Sequence, residues 1–234
     1  MKDFIDIHTH SLSGGHAYST IKEMVLKAAE KGLKVFGVTE HAESCTQLHF
    51  RNMRIILREQ YGITVLHGAE ANIIDYDGHL DLPDRILADL DVVVASMHMS
   101  TYKSGTMEEN TRAYLNVMKN PHVAIIGHPD DCRFPVDYRE LVLGAKRYGK
   151  LLEINNISVN PTGFRDTERA IENYRKMLEY CKEYETPVIM SSDAHIDVAV
   201  GDHTEAMKVL KDVDFPERLV VNSDVEMLKK YIKF

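Results

Sequence analysis

Cysteine is scarce in this 234-residue chain: Cys45, Cys132 and Cys181 are odd in number, far apart, and form no Cys-x-x-Cys pair. That excludes a disulfide framework and a thiolate zinc site, and fits reduced thiols in a cytoplasmic protein. Runs of Lys or Arg are also missing. With 28 basic against 36 acidic residues the formal net charge is -8, which argues against nucleic-acid binding through a basic patch and against anionic membrane surfaces. A small anionic substrate stays compatible if a metal supplies positive charge locally. No apolar run approaches the roughly 18 residues a membrane helix needs, and the N-terminus enters a strand directly, without an apolar signal core. No Gly-x-Gly-x-x-Gly follows a strand, so a dinucleotide fold has no support. Repeats, low-complexity tracts and linkers are absent too. The expectation is one soluble, cytoplasmic domain over 1–234, long enough for an α/β barrel of about 200–250 residues.

What is present alternates. Apolar strand patterns at 4–7, 35–39, 63–66, 92–96, 123–126, 151–154 and 188–190 are separated by helical patterns at 20–31, 50–61, 111–119, 137–148 and 167–183. A small hairpin is expected over 73–82 and a short helix after Pro83, with two more helices near 204–210 and 224–230. In the helix expected over 50–61, Met53, Ile56 and Leu57 would face inward. Strands alternating with helices imply parallel pairing through right-handed crossovers. A closed or nearly closed barrel of seven βα units is the first expectation and an open doubly wound sheet the second.

The strand ends carry the chemistry. The first runs out into Asp6-Ile7-His8-Thr9-His10, and alternation along an extended strand would turn Asp6, His8 and His10 the same way. The second ends at His41, the third near Glu70, the fourth at His98, the fifth at His128 and the last at Asp193 and His195. A single histidine after a strand is more often a hydrogen-bonded structural residue. Here six of seven strands end in a histidine or carboxylate, and a parallel barrel gathers those ends on one face, where active sites are built. His8, His10, His41, Glu70, His98, His128, Asp193 and His195 are therefore read as metal ligands. His16, on a loop at the same rim, is left open by spacing alone. His49, His67, His79, His122 and His203 are read as structural. Imidazole and carboxylate without thiolate suit zinc, manganese or iron. The set is too large for one ion, and a carboxylate such as Glu70 can bridge two. The resulting cationic pocket would favour a phosphate group.

His-x-His near the N-terminus, Thr39-Glu40-His41, Gly68-Ala69-Glu70, Gly127-His128-Pro129 and Ser192-Asp193-Ala194-His195, in this order, resemble the PHP (polymerase and histidinol phosphatase) family. His16-Ala-Tyr-Ser-Thr, His49-Phe-Arg-Asn-Met-Arg, Glu70-Ala-Asn-Ile and Glu153-Ile-Asn-Asn are similar to its smaller YcdX-type phosphatase branch. The resemblance covers nearly the whole chain. It implies a distorted (β/α)7 TIM-like barrel with a trinuclear metal centre, usually zinc, at the C-terminal ends of the strands, and phosphoester hydrolysis. By motif, His8, His10, Glu70 and Asp193 would hold one ion, Glu70, His98 and His128 a second, and His16, His41 and His195 a third. Glu40 departs from the family's more usual Asp, and the residues after His98 and after Asn156 also differ.

The mechanism expected is hydrolysis of a small phosphomonoester by a hydroxide bridging two metal ions, with no separate protein acid or base assigned. Arg133 and Arg165, on loops leaving the same rim, would either grip phosphate or be ordinary solvated arginines. Two rival readings use the same residues: a phosphodiesterase or nuclease, and a metal-holding regulatory module without turnover.

Overall fold

The structure is a computed structural model that describes residues 3–163 and 165–234. Along the chain run β1 (Ile5–Asp6), α1 (Ile21–Glu30), β2 (Val35–His41), α2 (Gln47–Asn52), β3 (Glu59–Gln60), β4 (Ile63–Asn72), α3 (Asp84–Leu87) and β5 (Val92–Ser96). After these come α4 (Met107–Val117), β6 (Ile125–Ile126), α5 (Tyr138–Tyr148), β7 (Leu151–Asn155), α6 (Thr167–Tyr184), β8 (Val188–Ser191), α7 (Thr204–Asp212) and α8 (Val225–Leu228). Helix starts follow local chemistry. Thr20 with Glu23, and Thr106 with Glu109, form reciprocal capping boxes on α1 and α4, each satisfying backbone N–H groups that the first turn leaves unpaired. Asp137 caps α5, and Gly149, at φ 63°, ends it.

The strands pair in parallel in the order β1-β2-β4-β5-β6-β7-β8, a nearly closed, distorted TIM-like barrel. Every barrel strand contributes to one inner apolar cluster: Ile5, Val35, Leu66, Val92, Ile125, Leu151 and Ile189. Val221, Leu228 and Ile232 from the C-terminal segment complete it. These side chains come from the early part of each strand, so the barrel is plugged there. Its interior at the strand C-terminal ends is left to polar side chains. A larger cluster packs the helices on the outside of the sheet. β1 and β2 approach so closely that a Cβ on Gly37 would lie 2.3 Å from the Ile7 carbonyl oxygen. Among the described residues no helix is long and apolar enough to cross a membrane.

Two expectations fail. The helix over 50–61 is instead α2, ending at Asn52, a 3-10 turn over Met53–Ile55, and β3 folded antiparallel onto β4. Tyr61 and Gly62 form its two-residue turn, both at positive φ (50° and 77°), which matches the right-handed twist of a tight hairpin. Leu57 consequently points out, 72% exposed. Asp6, expected to share a face with the two following histidines, is turned away from them: its carboxylate accepts from Ser192 N, Ser192 Oγ and Gly201 N. The ladder between β1 and β2 covers only Ile5 and Asp6, so regular alternation does not carry on to His8.

The seam between β8 and β1 is closed largely by side chains. Asn222 accepts from Met190 N at 2.7 Å and donates to the carbonyls of Ile5 and Met190 at 2.8 Å each. Toward the rim, Asp193 N donates to His8 O and His10 N to Ala194 O. Because Asn222 is fully buried, Asn222→Leu should cost at least about 3 kcal/mol, since it strands several buried backbone groups. Thermal unfolding would then shift down by roughly 6–12 °C; an unchanged midpoint would refute this account of the seam.

Candidate metal centre

Glu70 lies at the middle of the polar end of the barrel. The β2–β4 register sets His41 directly opposite Glu70, and Glu70 itself is buried. Its Oε2 is 2.7 Å from His41 Nδ1, 3.4 Å from His8 Nε2 and 3.6 Å from His10 Nε2. Its Oε1 is 2.9 Å from His128 Nε2 and 3.3 Å from His98 Nε2. Five imidazoles thus converge on one carboxylate. They also touch one another: ring centroids are 5.1 Å apart for His8 and His10, 4.4 Å for His10 and His41, 4.9 Å for His41 and His98, and 5.0 Å for His98 and His128.

A second group adjoins the first. His16 lies against His10, His41 and His195, and His195 against His10, in tilted or edge-on pairs with centroid distances of 4.5–5.2 Å. Asp193, at φ 53°, turns its carboxylate to within 3.1 Å of His10 Nε2 and 3.8 Å of His8 Nε2. All nine expected ligands are therefore brought to one place, including His16. Among the described residues three sets offer donor atoms that lie within 4.8 Å of one another: His10, His16, His41 and His195; His8, His10 and Asp193; and His41, Glu70 and His98. The sets overlap more than the motif grouping, since His10 and His41 each belong to two. His128 is in none of them but reaches Glu70 directly.

The donor chemistry fits metal ions. His8 Nε2, both ring nitrogens of His10, His41 Nδ1, Glu70 Oε2 and His128 Nδ1 are buried without a hydrogen-bond partner. Each such atom costs about 1–3 kcal/mol if nothing satisfies it, and His8 Nε2, His10 Nε2 and His41 Nδ1 all face Glu70 Oε2. The electrostatics show the same conflict. Burial pushes the His10 imidazole down to about 3. Burial also opposes charge on His8, but Glu153, Glu70 and Asp193 together hold it well above the usual imidazole range. The surrounding imidazoles hold Glu70 well below the usual carboxylate range against burial, and His8 and His10 do the same for Asp193.

Outer partners fix the rings. Glu153, buried on β7, accepts from His8 Nδ1 at 2.7 Å through Oε1 and from His128 N at 2.7 Å through Oε2. Asn155, two residues on, donates to Glu153 at 3.2 Å and to Asp193 at 3.1 Å. Glu153 was not among the expected ligands. The available signal was a carboxylate inside an otherwise apolar strand whose end, Asn155-Asn156, carried no ligand of its own. A glutamine at 153 has one oxygen for three buried donors, so Glu153→Gln should release either the His8 ring or the pair His128 N and Asn155. Metal affinity should fall about 10–100-fold, as read by chelator competition; affinity equal to the wild type would contradict this role. Glu40 clamps the loop below His16: its carboxylate accepts from Ser11 N at 3.0 Å and from Ser11 Oγ.

The two arginines differ. Arg133 is half-exposed and held in a fork on Asp131, with contacts of 2.6–3.1 Å. Arg165 lies deeper. It donates to Ser158 Oγ at 3.1 Å, and the charges of Asp130, Asp193 and Asp131 raise its guanidinium against the effect of burial. Of the histidines read as structural, His203 is fully buried between Asp3 and Asp6, and His67 is buried near Asp91. His79 is exposed and bonds Asp75.

The PHP domain pattern matches residues 6–213. A protein of Clostridium novyi named a probable phosphatase is 40% identical over 237 aligned residues, covering 100% of this chain and 96% of its own. A probable phosphatase of Acetivibrio thermocellus shows the same identity and coverage. Among solved structures, the histidinol phosphate phosphatase of Lactococcus lactis, determined with zinc, L-histidinol and phosphate, superposes with a TM-score of 0.66. It is 19% identical, with 92% of this chain and 95% of that one covered.

Proposed function

Because this chain belongs to the PHP domain family of phosphatases, we propose that it hydrolyses a small phosphomonoester with divalent ions held by His8, His10, His16, His41, Glu70, His98, His128, Asp193 and His195. The observation that carries the reading is the convergence of five imidazoles on the buried Glu70 carboxylate, with donor atoms left unsatisfied around it. Three ions are the working number, grouped as His8, His10, Glu70 and Asp193; Glu70, His98 and His128; and His16, His41 and His195. Zinc is the first choice because the Lactococcus enzyme was solved with it; manganese and iron suit the same donors. When bound, such ions supply Lewis-acid charge and lower the pKa of water.

The chain's own residues do the rest. Glu153 holds His8 so that Nε2 faces inward, and Asn155 ties Glu153 to Asp193. Arg165 is the arginine assigned to meet a phosphate oxygen, because its charge acts on His128 and Asp193 of the cage. No side chain is assigned as general acid.

The test joins metal analysis of the purified protein with p-nitrophenyl phosphate turnover. Chelation should abolish turnover and added zinc or manganese should restore it. Asp193→Ala should lose metal and turnover while circular dichroism stays native. Full turnover in the metal-stripped protein would refute the reading.

A further inference from the structure

Beside the ligand cage lies a polar relay that the proposed reaction does not use. Asn72 is the last residue of β4, two beyond Glu70, and is fully buried. Its Oδ1 is 2.6 Å from His98 Nδ1. Its Nδ2 donates to Glu43 Oε2 at 2.5 Å and to Asp81 Oδ2 at 2.6 Å. Asp81 Oδ1 also accepts from Asn72 N at 2.9 Å. Glu43 belongs to the turn after β2 and accepts from Ser100 Oγ at 3.0 Å, two residues beyond His98.

The chemistry has one consistent direction. An amide NH2 has two hydrogens, and an ionised carboxylate only accepts. With both hydrogens committed to carboxylates, the amide cannot turn over: inversion would set its oxygen against two anions. Oδ1 must therefore face His98, and an acceptor opposite Nδ1 requires the proton on Nδ1. The lone pair then sits on Nε2, which points at Glu70 Oε1 from 3.3 Å. Three other rings of the cage have an outer partner at Nδ1 as well: His8 has Glu153, His195 the Asp193 carbonyl and His16 the Gly14 carbonyl. His98 differs from His8, which a carboxylate holds, and from His195 and His16, which backbone carbonyls hold, in being held by a side-chain amide. Orientation is passed on without a full negative charge against the ring.

We propose that Asn72, locked by Glu43 and Asp81, is a positioning residue that sets His98 in its Nδ1–H tautomer and so presents Nε2 to the metal cage. The proposal rests on the reading of His98 as a ligand. A merely structural amide would hold the Ile73–Leu80 turn without dictating a tautomer.

The test uses the full-length protein with 15N-labelled histidine, metal-stripped and zinc-loaded, above the ordinary imidazole range of about 6.5. Long-range 1H–15N correlation reads each ring's tautomer, and His98→Gln assigns the His98 signals. In the wild type His98 should be Nδ1–H in both states. In Glu43→Gln/Asp81→Asn the amide is free to invert. His98 should lose its single tautomer, and zinc affinity by chelator competition should fall about 10–100-fold. An Nε2–H tautomer in the wild type would overturn the proposal, and that measurement stands even if the double variant does not fold. Zinc held as tightly by a folded double variant as by the wild type would overturn it too. A protein that binds no zinc yet shows His98 as Nδ1–H would support the relay while removing the metal-centre reading, so the two fail separately.

Discussion

Glu70→Gln should leave a folded protein that no longer retains its metal and turns over phosphomonoester about 10³-fold more slowly or worse. Losing the shared carboxylate removes several kcal/mol of charge stabilisation, and each 1.36 kcal/mol is tenfold in rate. Both oxygens of Glu70 are in use: Oε2 toward His8, His10 and His41, and Oε1 toward His98 and His128. A glutamine keeps the shape but offers one neutral oxygen and one NH2, which no cation accepts as a ligand. On the proposed grouping two ions would lose the group they share, and the cage would lose its central negative charge. His16→Ala is the comparison. His16 is on a loop, is exposed, and touches the set from one side. Its loss should deplete one ion and spare the others. Metal-to-protein ratios for the two variants separate these outcomes. Near-normal metal content in Glu70→Gln would contradict the central position given to this residue.

The second large effect lies away from the chemistry. His203 is fully buried, with Nδ1 2.5 Å from Asp3 Oδ2 and Nε2 3.5 Å from Asp6 Oδ1. Burial alone would push this imidazole down. Hydrogen bonds to Asp3 and Asp6, and the charges of those carboxylates, outweigh it and hold the ring at about 10. Burial likewise opposes the charge of Asp6, and His203 again prevails, keeping that carboxyl below its usual value. The pair therefore stabilises the fold across the neutral range. A folded value of about 10 lies above the unfolded value near 6.5, so the histidine's contribution is complete below about 6.5 and is lost as pH rises through 10. Asp6, shifted the other way, contributes above its unfolded value and loses that contribution in acid. His203→Ala leaves buried carboxylate without its partner and should cost about 3–5 kcal/mol at neutral pH. The wild type's advantage over the variant should narrow on the alkaline side. Denaturant unfolding across pH measures it, and a constant difference up to pH 11, about a unit above the folded pKa, would refute the linkage.

How far the sequence could carry the reading depends on where each residue's partners lie. Strands such as β5, a continuous run of buried apolar residues, were readable directly, because a strand covered on both faces needs little else. The rim was readable because barrel topology turns strand ends, scattered from His8 to His195, into neighbours. The supports were not. Glu153 meets His8 across 145 positions, Asn222 meets Ile5 across 217, and His203 reaches Asp3 across 200. No local period reports such pairs. Asp6 was misplaced for a related reason: alternation assumes a continuing ladder, and the ladder of β1 ends at Asp6 itself. The segment over 50–61 misled through composition. Its apolar residues fall at helical spacing, yet Tyr61-Gly62 adopts a conformation that folds the chain back on β4.

The β1–β8 seam has a consequence for the order of assembly. His8 and His10 are synthesised well before the carboxylate they meet, Asp193, and before the amide that stitches their strand to β8, Asn222. The cage consequently cannot exist on a partly made chain. Its early half waits for its later half, and on the proposed function any loading of ions follows closure of the barrel.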